Sequence, residues 1–182
     1  MKRLALILLA LVLLNTFAFA QSETTIVPII EINTSVPTAT PQPAGEVFSC
    51  ETLIITLPEG YAMLEEDETA GYTAAVEDAY NLGAHLLFAA QNKDGGAICM
   101  VVIDDATPAL EACRDAAKNI LGSKDNAAEY TYGENSYAGF ACALDNSVFQ
   151  IYYISNGAQL VTISTANVSA EDTAALLQSM VF

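Results

Sequence analysis

The chain carries four cysteines, Cys50, Cys99, Cys113 and Cys142, and a single histidine, His85. These are the side chains with the most chemical range. No two cysteines have the Cys-x-x-Cys spacing, so thioredoxin-type redox chemistry and a zinc ribbon are both excluded. A Ser-His-Asp or Cys-His nucleophile would have to run through His85, which falls at the start of a predicted strand and reads as a strand histidine. No Gly-x-Ser-x-Gly elbow occurs, and no Gly-rich phosphate loop. Oxygen ligands are more plentiful. Glu65-Glu66-Asp67-Glu68 and Asp104-Asp105 could hold calcium, although they lack the alternating acids and mid-loop glycine of an EF-hand. A hydrolase using two placed carboxylates is the enzymatic alternative. The plainer reading makes these runs solvated faces.

A third set is aromatic. Tyr130, Tyr132, Tyr137, Tyr152 and Tyr153 concentrate in the C-terminal third. Exposed on a sheet, they would form a contact surface for a protein or glycan, since each offers an apolar ring and a hydroxyl. Half-buried strand tyrosines are the alternative.

The cysteines take their meaning from where the chain goes. Met1-Lys2-Arg3 is followed by an apolar run over residues 4–14 and ends in Ala18-Phe19-Ala20. That is the pattern of a signal peptide cut after Ala20. The run is short for a membrane span, which needs about 20 apolar residues. A secreted or extracytoplasmic location is therefore expected, with no stable membrane insertion after cleavage. In that compartment the four cysteines are expected to form at least one disulfide, with the pairing open; four buried thiols are the alternative.

Charge narrows the partners. Acids number 22 against 6 basic residues, a net charge of −16 in 182 residues. Nucleic acid is excluded, because phosphate binding needs a basic patch. The expected partner is an extracytoplasmic protein or a small ligand. No resident cofactor is expected, calcium being the one candidate.

The elements that must position these residues follow from patterning. Residues 21–45 are rich in Thr, Ser and Pro and read as a disordered linker. Asn33-Thr34-Ser35 and Asn167-Val168-Ser169 match the glycosylation sequon. A single domain is expected over 46–182. Short strands are predicted at Val47–Cys50 and Leu53–Leu57, a helix over Ala70–Leu82, and a hairpin pairing His85–Gln91 with Ala97–Ile103. The second arm is apolar on both faces and predicts a central strand. Thr107-Pro108 opens a helix that Gly122 ends, with Thr107 as cap and Pro108 in first position. Strands are predicted at Ala128–Tyr132, Tyr137–Leu144, Ser147–Ser155 and Ala158–Thr165. Asn156-Gly157 predicts a type I′ turn that sets Tyr153 opposite Leu160 and Ile151 opposite Thr162. Ser169 caps a last helix. The fold class is α+β: an antiparallel sheet built from hairpins, flanked by about three helices.

The segment FSCETLIITLPEGY and the ending YYISNGAQLVTISTANVSAEDTAALLQSMVF resemble the opening and closing of the PsbP-like (Mog/PsbP) fold, with Tyr61 where that superfamily usually has Trp. The resemblance covers 46–182 in architecture. It implies an exported, non-enzymatic binding or accessory domain, and it transfers no catalytic residue.

Overall fold

A computed structural model describes residues 27–28, 45–51, 53–81, 83–144 and 147–182. The expected signal peptide, most of the expected linker with its sequon at Asn33, and Leu82 at the expected helix end lie outside the described residues.

The strands are β1 (Val27–Pro28), β2 (Val47–Cys50), β3 (Leu53–Thr56), β4 (Tyr61–Met63), β5 (Ala84–Asn92), β6 (Ala97–Ile103), β7 (Ala128–Tyr132), β8 (Asn135–Leu144), β9 (Ser147–Ser155) and β10 (Leu160–Ala166). The helices are α1 (Glu66–Ala79), α2 (Ala109–Leu121) and α3 (Ala170–Gln178). One antiparallel sheet runs in the order β1-β8-β9-β10-β6-β5-β4, with β7 also paired to β8. Because β9 takes one edge of β8, β7 and β1 share the other. There β7 pairs with residues 135–139, and β1 with Cys142 and Ala143. The pair β2–β3 forms a separate small sheet. The α+β class with hairpin-built antiparallel sheets is thus the observed architecture.

Strand alternation divides the core in two. On one face of the sheet Ala97, Cys99, Val101 and Ile103 of β6 join Phe149, Ile151 and Tyr153 of β9, and α1 and α2 cover them through Val76, Cys113, Ala116 and Ala117. On the other face Ile98, Met100, Tyr152, Ile154, Val161 and Ile163 lie under the β2–β3 hairpin and α3. The sheet is therefore a middle layer. This is why β6 is buried along nearly its whole length, as its unbroken apolar run requires.

Several elements depart from the expectations. Helix α1 starts four residues before Ala70, so the acidic run is its first turn. The Glu65 N–H donates to Glu68 Oε2 at 3.2 Å, and three carboxylates sit at the positive end of the helix dipole. Thr107 does not cap α2. Its N–H and hydroxyl both donate to Asp105 Oδ1, and Pro108 stands at the cap position. Gly122, at φ 79°, ends α2 in the left-handed conformation that its missing Cβ permits. Ser169 caps α3 as expected, its hydroxyl accepting the Asp172 N–H at 3.0 Å.

The β9–β10 hairpin exists, but its register is shifted by two residues. Tyr153 stands opposite Thr162 and Ile151 opposite Ser164; Leu160 stands opposite Ser155. The reason is local. Asn156 Oδ1 accepts the N–H groups of both Ala158 and Gln159, which closes a four-residue loop. Gly157 alone takes a positive φ there, whereas a type I′ turn needs two such residues. A shift of two keeps every side chain on its own face, so the core pattern survives.

Candidate functional site

The described residues form a half-open cavity of about 280 Å³ where the tip of the β2–β3 hairpin meets the sheet. Its apolar walls are Leu53 from the hairpin and Leu87, Val102 and Val161 from β5, β6 and β10. Val102 and Val161 face each other directly across the β6–β10 ladder. Leu87 arrives differently. The β5–β6 register slips between Leu86 and Phe88, so Leu87 is an extra residue in β5. Leu86 packs on the helix-covered face, while Leu87 and Phe88 both pack on the hairpin side. This bulge re-aims Leu87 into the cavity, a common use of bulges at sites.

The rim is polar. Cys50 and Glu51 come from the hairpin tip, Asn156 and Gln159 from the β9–β10 loop, and Phe182 closes one side. Asn156 Oδ1 is occupied by the loop N–H groups, which leaves the amide nitrogen as its donor. Gln159 Nε2 donates to Asp104 Oδ1 at 2.7 Å, which leaves the amide oxygen as its acceptor. The chain around Phe182 is held by a two-way backbone bridge, Ile54 N–H to Val181 O and Val181 N–H to Ile54 O, both 2.9 Å. Next to it, the Ser179 hydroxyl accepts the Thr56 N–H at 2.9 Å and contacts Thr56 O at 3.1 Å.

Of the residues singled out from sequence, Cys50 alone lines this cavity. In this structure Cys99, Cys113 and Cys142 stand as thiols. Cys99, Cys113 and Cys142 belong to the core beneath α1 and α2, and Cys50 packs on the opposite side of the sheet. Burial pushes the Cys99, Cys113 and Cys142 thiols up to about 12, so they stay protonated and inert at neutral pH.

The tyrosines do not form an outward contact surface. Tyr132, Tyr137, Tyr152 and Tyr153 are buried and Tyr130 is half-buried. Tyr130, Tyr132, Tyr137 and Tyr152 make a ring cluster with centroid separations of 5.8–6.5 Å. The Tyr137 hydroxyl donates to Leu177 O at 2.7 Å, tying the cluster to α3. Tyr153 lies on the other face, where its hydroxyl is buried with no hydrogen-bond partner. Residues two apart on a strand share a face, but only the layer above decides whether that face is wet.

Glu65–Glu68 are exposed along the start of α1. Asp105 is also exposed, and its bonds from Thr107 hold its carboxyl below the usual range. Among the described residues, no three His, Cys, Asp or Glu side chains converge as a metal site would require. His85 is exposed in β5 and pairs with Val102. No described helix is long and apolar enough to cross a membrane. In the sequon at Asn167, Oδ1 accepts the Val148 N–H at 3.0 Å, so that carboxamide already holds a loop together.

No family model matches this sequence, and no curated protein matches it. Two solved structures are similar in part. One is a protein of Bacteroides thetaiotaomicron VPI-5482, with a TM-score of 0.43 and 14% identity over 71% of this chain. The match covers 44% of that protein, so this chain spans less than half of its length. The other is LpqN, involved in cell envelope biogenesis of Mycobacterium tuberculosis, with a TM-score of 0.34 and 10% identity over 87% of this chain and 86% of LpqN.

Proposed function

We propose that this protein is an exported binding or accessory domain of PsbP-like type, non-enzymatic, which takes a small, largely apolar group into the cavity under the β2–β3 hairpin. The observation that carries the reading is the cavity itself. Four apolar side chains make its walls, and a few polar groups stand at its mouth. Ligand pockets have this composition, apolar surface for affinity with a small number of polar groups for orientation. At about 280 Å³ it sits at the small end of the range of roughly 300–1,000 Å³ for such pockets. It suits a small molecule or one end of a larger one. Export rests on the positively charged start, the apolar run and the Ala-x-Ala end of the first 20 residues.

Thermal unfolding of the full chain with a panel of small apolar and amphiphilic compounds tests the binding reading. A ligand at 100 times its dissociation constant adds about 2.7 kcal/mol, a readily measured rise in Tm. The expected result is a saturable rise that Leu87→Trp abolishes by filling the cavity. No saturable rise with any compound, together with turnover of a substrate, would overturn it. N-terminal sequencing of the chain recovered outside producing cells is expected to begin at Gln21.

A further inference from the structure

The charge around this cavity is one-sided. Among the described residues, Glu51 is the one formally charged side chain lining it, and Asp104 adds a second carboxylate through its bond to Gln159. The lysine and arginine side chains of the described residues are elsewhere, and His85, though opposite Val102, does not line the cavity. Arg114, Lys118 and Lys124 belong to α2 and the turn after it, in the layer over the opposite face of the sheet. Lys93 lies in the β5–β6 turn, beside Asn92, whereas the cavity uses Leu87 nearer the start of β5 and Val102 near the end of β6. An aromatic side chain, Phe182, also lines the cavity. A carboxylate and a ring face together favour a cation, the carboxylate by Coulomb attraction and the ring by its quadrupole. The apolar walls of Leu53, Leu87, Val102 and Val161 favour a hydrocarbon body.

From this juxtaposition we infer that the cavity selects an organic cation, a short alkyl chain carrying an ammonium group, with the chain against the valines and leucines and the head between Glu51 and Phe182. The inference rests on the binding reading above and adds the ligand class. An anionic amphiphile of equal length meets Glu51 and Asp104 with like charge and is disfavoured.

Calorimetric titration of the full chain at pH 8 with n-octylammonium, n-octanol and n-octanoate, each below its micellar concentration, separates charge from chain. The expected order is ammonium, then alcohol, then carboxylate. The advantage of ammonium over alcohol should be about five- to tenfold at low ionic strength and should shrink as salt is added. Glu51→Gln should weaken ammonium far more than alcohol and so bring the two close together. Glu51 is exposed, so the substitution should leave the fold intact. Phe182→Ala should weaken ammonium more than alcohol. Equal binding of ammonium and alcohol, tighter binding of octanoate, or an ammonium preference that persists in Glu51→Gln would overturn the inference and leave the cavity reading standing. Saturable binding of none of the three would overturn both.

Discussion

Two tyrosines one position apart on β9 and its neighbour show how much a single hydroxyl depends on the layer above it. Tyr137 and Tyr153 are both almost wholly buried. Tyr137 donates to the Leu177 carbonyl at the end of α3; Tyr153 is buried beneath α2 with no partner for its hydroxyl. A buried hydrogen bond contributes about 0.5–1.5 kcal/mol net, and its loss also strands the partner carbonyl. An unpartnered buried hydroxyl is instead a cost. Tyr137→Phe is therefore expected to lower stability by about 1–2 kcal/mol in urea unfolding. Tyr153→Phe is expected to be neutral or stabilising. A loss of equal size in both would mean that the Tyr153 hydroxyl also has a partner, such as a buried water. The five tyrosines were legible as strand residues from their type and spacing. Which of them would find a hydrogen bond was not, because the acceptor lies 40 residues away in sequence.

Among the elements, β8 is the most demanding. It carries β9 on one edge and both β7 and β1 on the other. Gly139 lies in its middle, opposite Tyr152. A Cβ at Gly139 would come within 2.8 Å of the Tyr152 ring and 2.9 Å of the Ile151 carbonyl oxygen. The backbone atom cannot swing away as a flexible side chain could. Gly139→Ala is thus expected to cost about 1–3 kcal/mol, the range for an overpacked core, against the small gain usual when a strand glycine is replaced. Urea midpoints of the variant and parent check this. The tyrosine beside Gly139 explains why a residue with poor strand propensity sits mid-strand. Sequence patterning placed most strands within a residue or two. It missed β1, β4 and the bulge at Leu87, because two or three residues make too short a pattern and a bulge follows from its partner strand. It also misread the β9–β10 turn, where an asparagine side chain overrides the usual preference of Asn-Gly.

At the scale of the whole molecule, both faces of the sheet are covered, and titratable groups are buried on each. Burial pushes Cys99, Cys113 and Cys142 from the usual value near 9 to about 12. Tyr80 and Tyr130 rise from near 10 to about 12 mainly through burial, as does Tyr61, where the charges of Asp172 and Asp94 add to the effect. Each of these groups has a higher pKa folded than unfolded. Their contribution is therefore complete below about pH 9 and is lost as pH rises towards 12, because the unfolded chain ionises first and the folded chain holds its protons. Urea unfolding followed from pH 8 to pH 11 is expected to show a midpoint that begins to fall near pH 9. A midpoint flat across that window would mean that these groups reach water without global unfolding.

The order of residues alone determined the strongly patterned parts of this protein. An apolar run with no polar alternation predicts a strand covered on both sides, because either face would otherwise be wetted. Glycine after α2 and serine before α3 mark helix ends, because each supplies what the terminal backbone lacks. Acidic excess argues against a nucleic-acid partner. These signals are local, and the chain carries them wherever it folds. The cavity is different. Its walls come from four strands, its rim from two loops and the residues beside Val181, and it exists because the β2–β3 hairpin packs on one face of the sheet. Val102 and Val161 lie 59 positions apart, and Leu87 faces them through a register slip. Tertiary structure also decided that the cysteines divide between two sides of a sheet and that the tyrosines lie under α3 and α2. Such facts depend on which layers meet, a property of long-range packing that short-range periodicity does not contain.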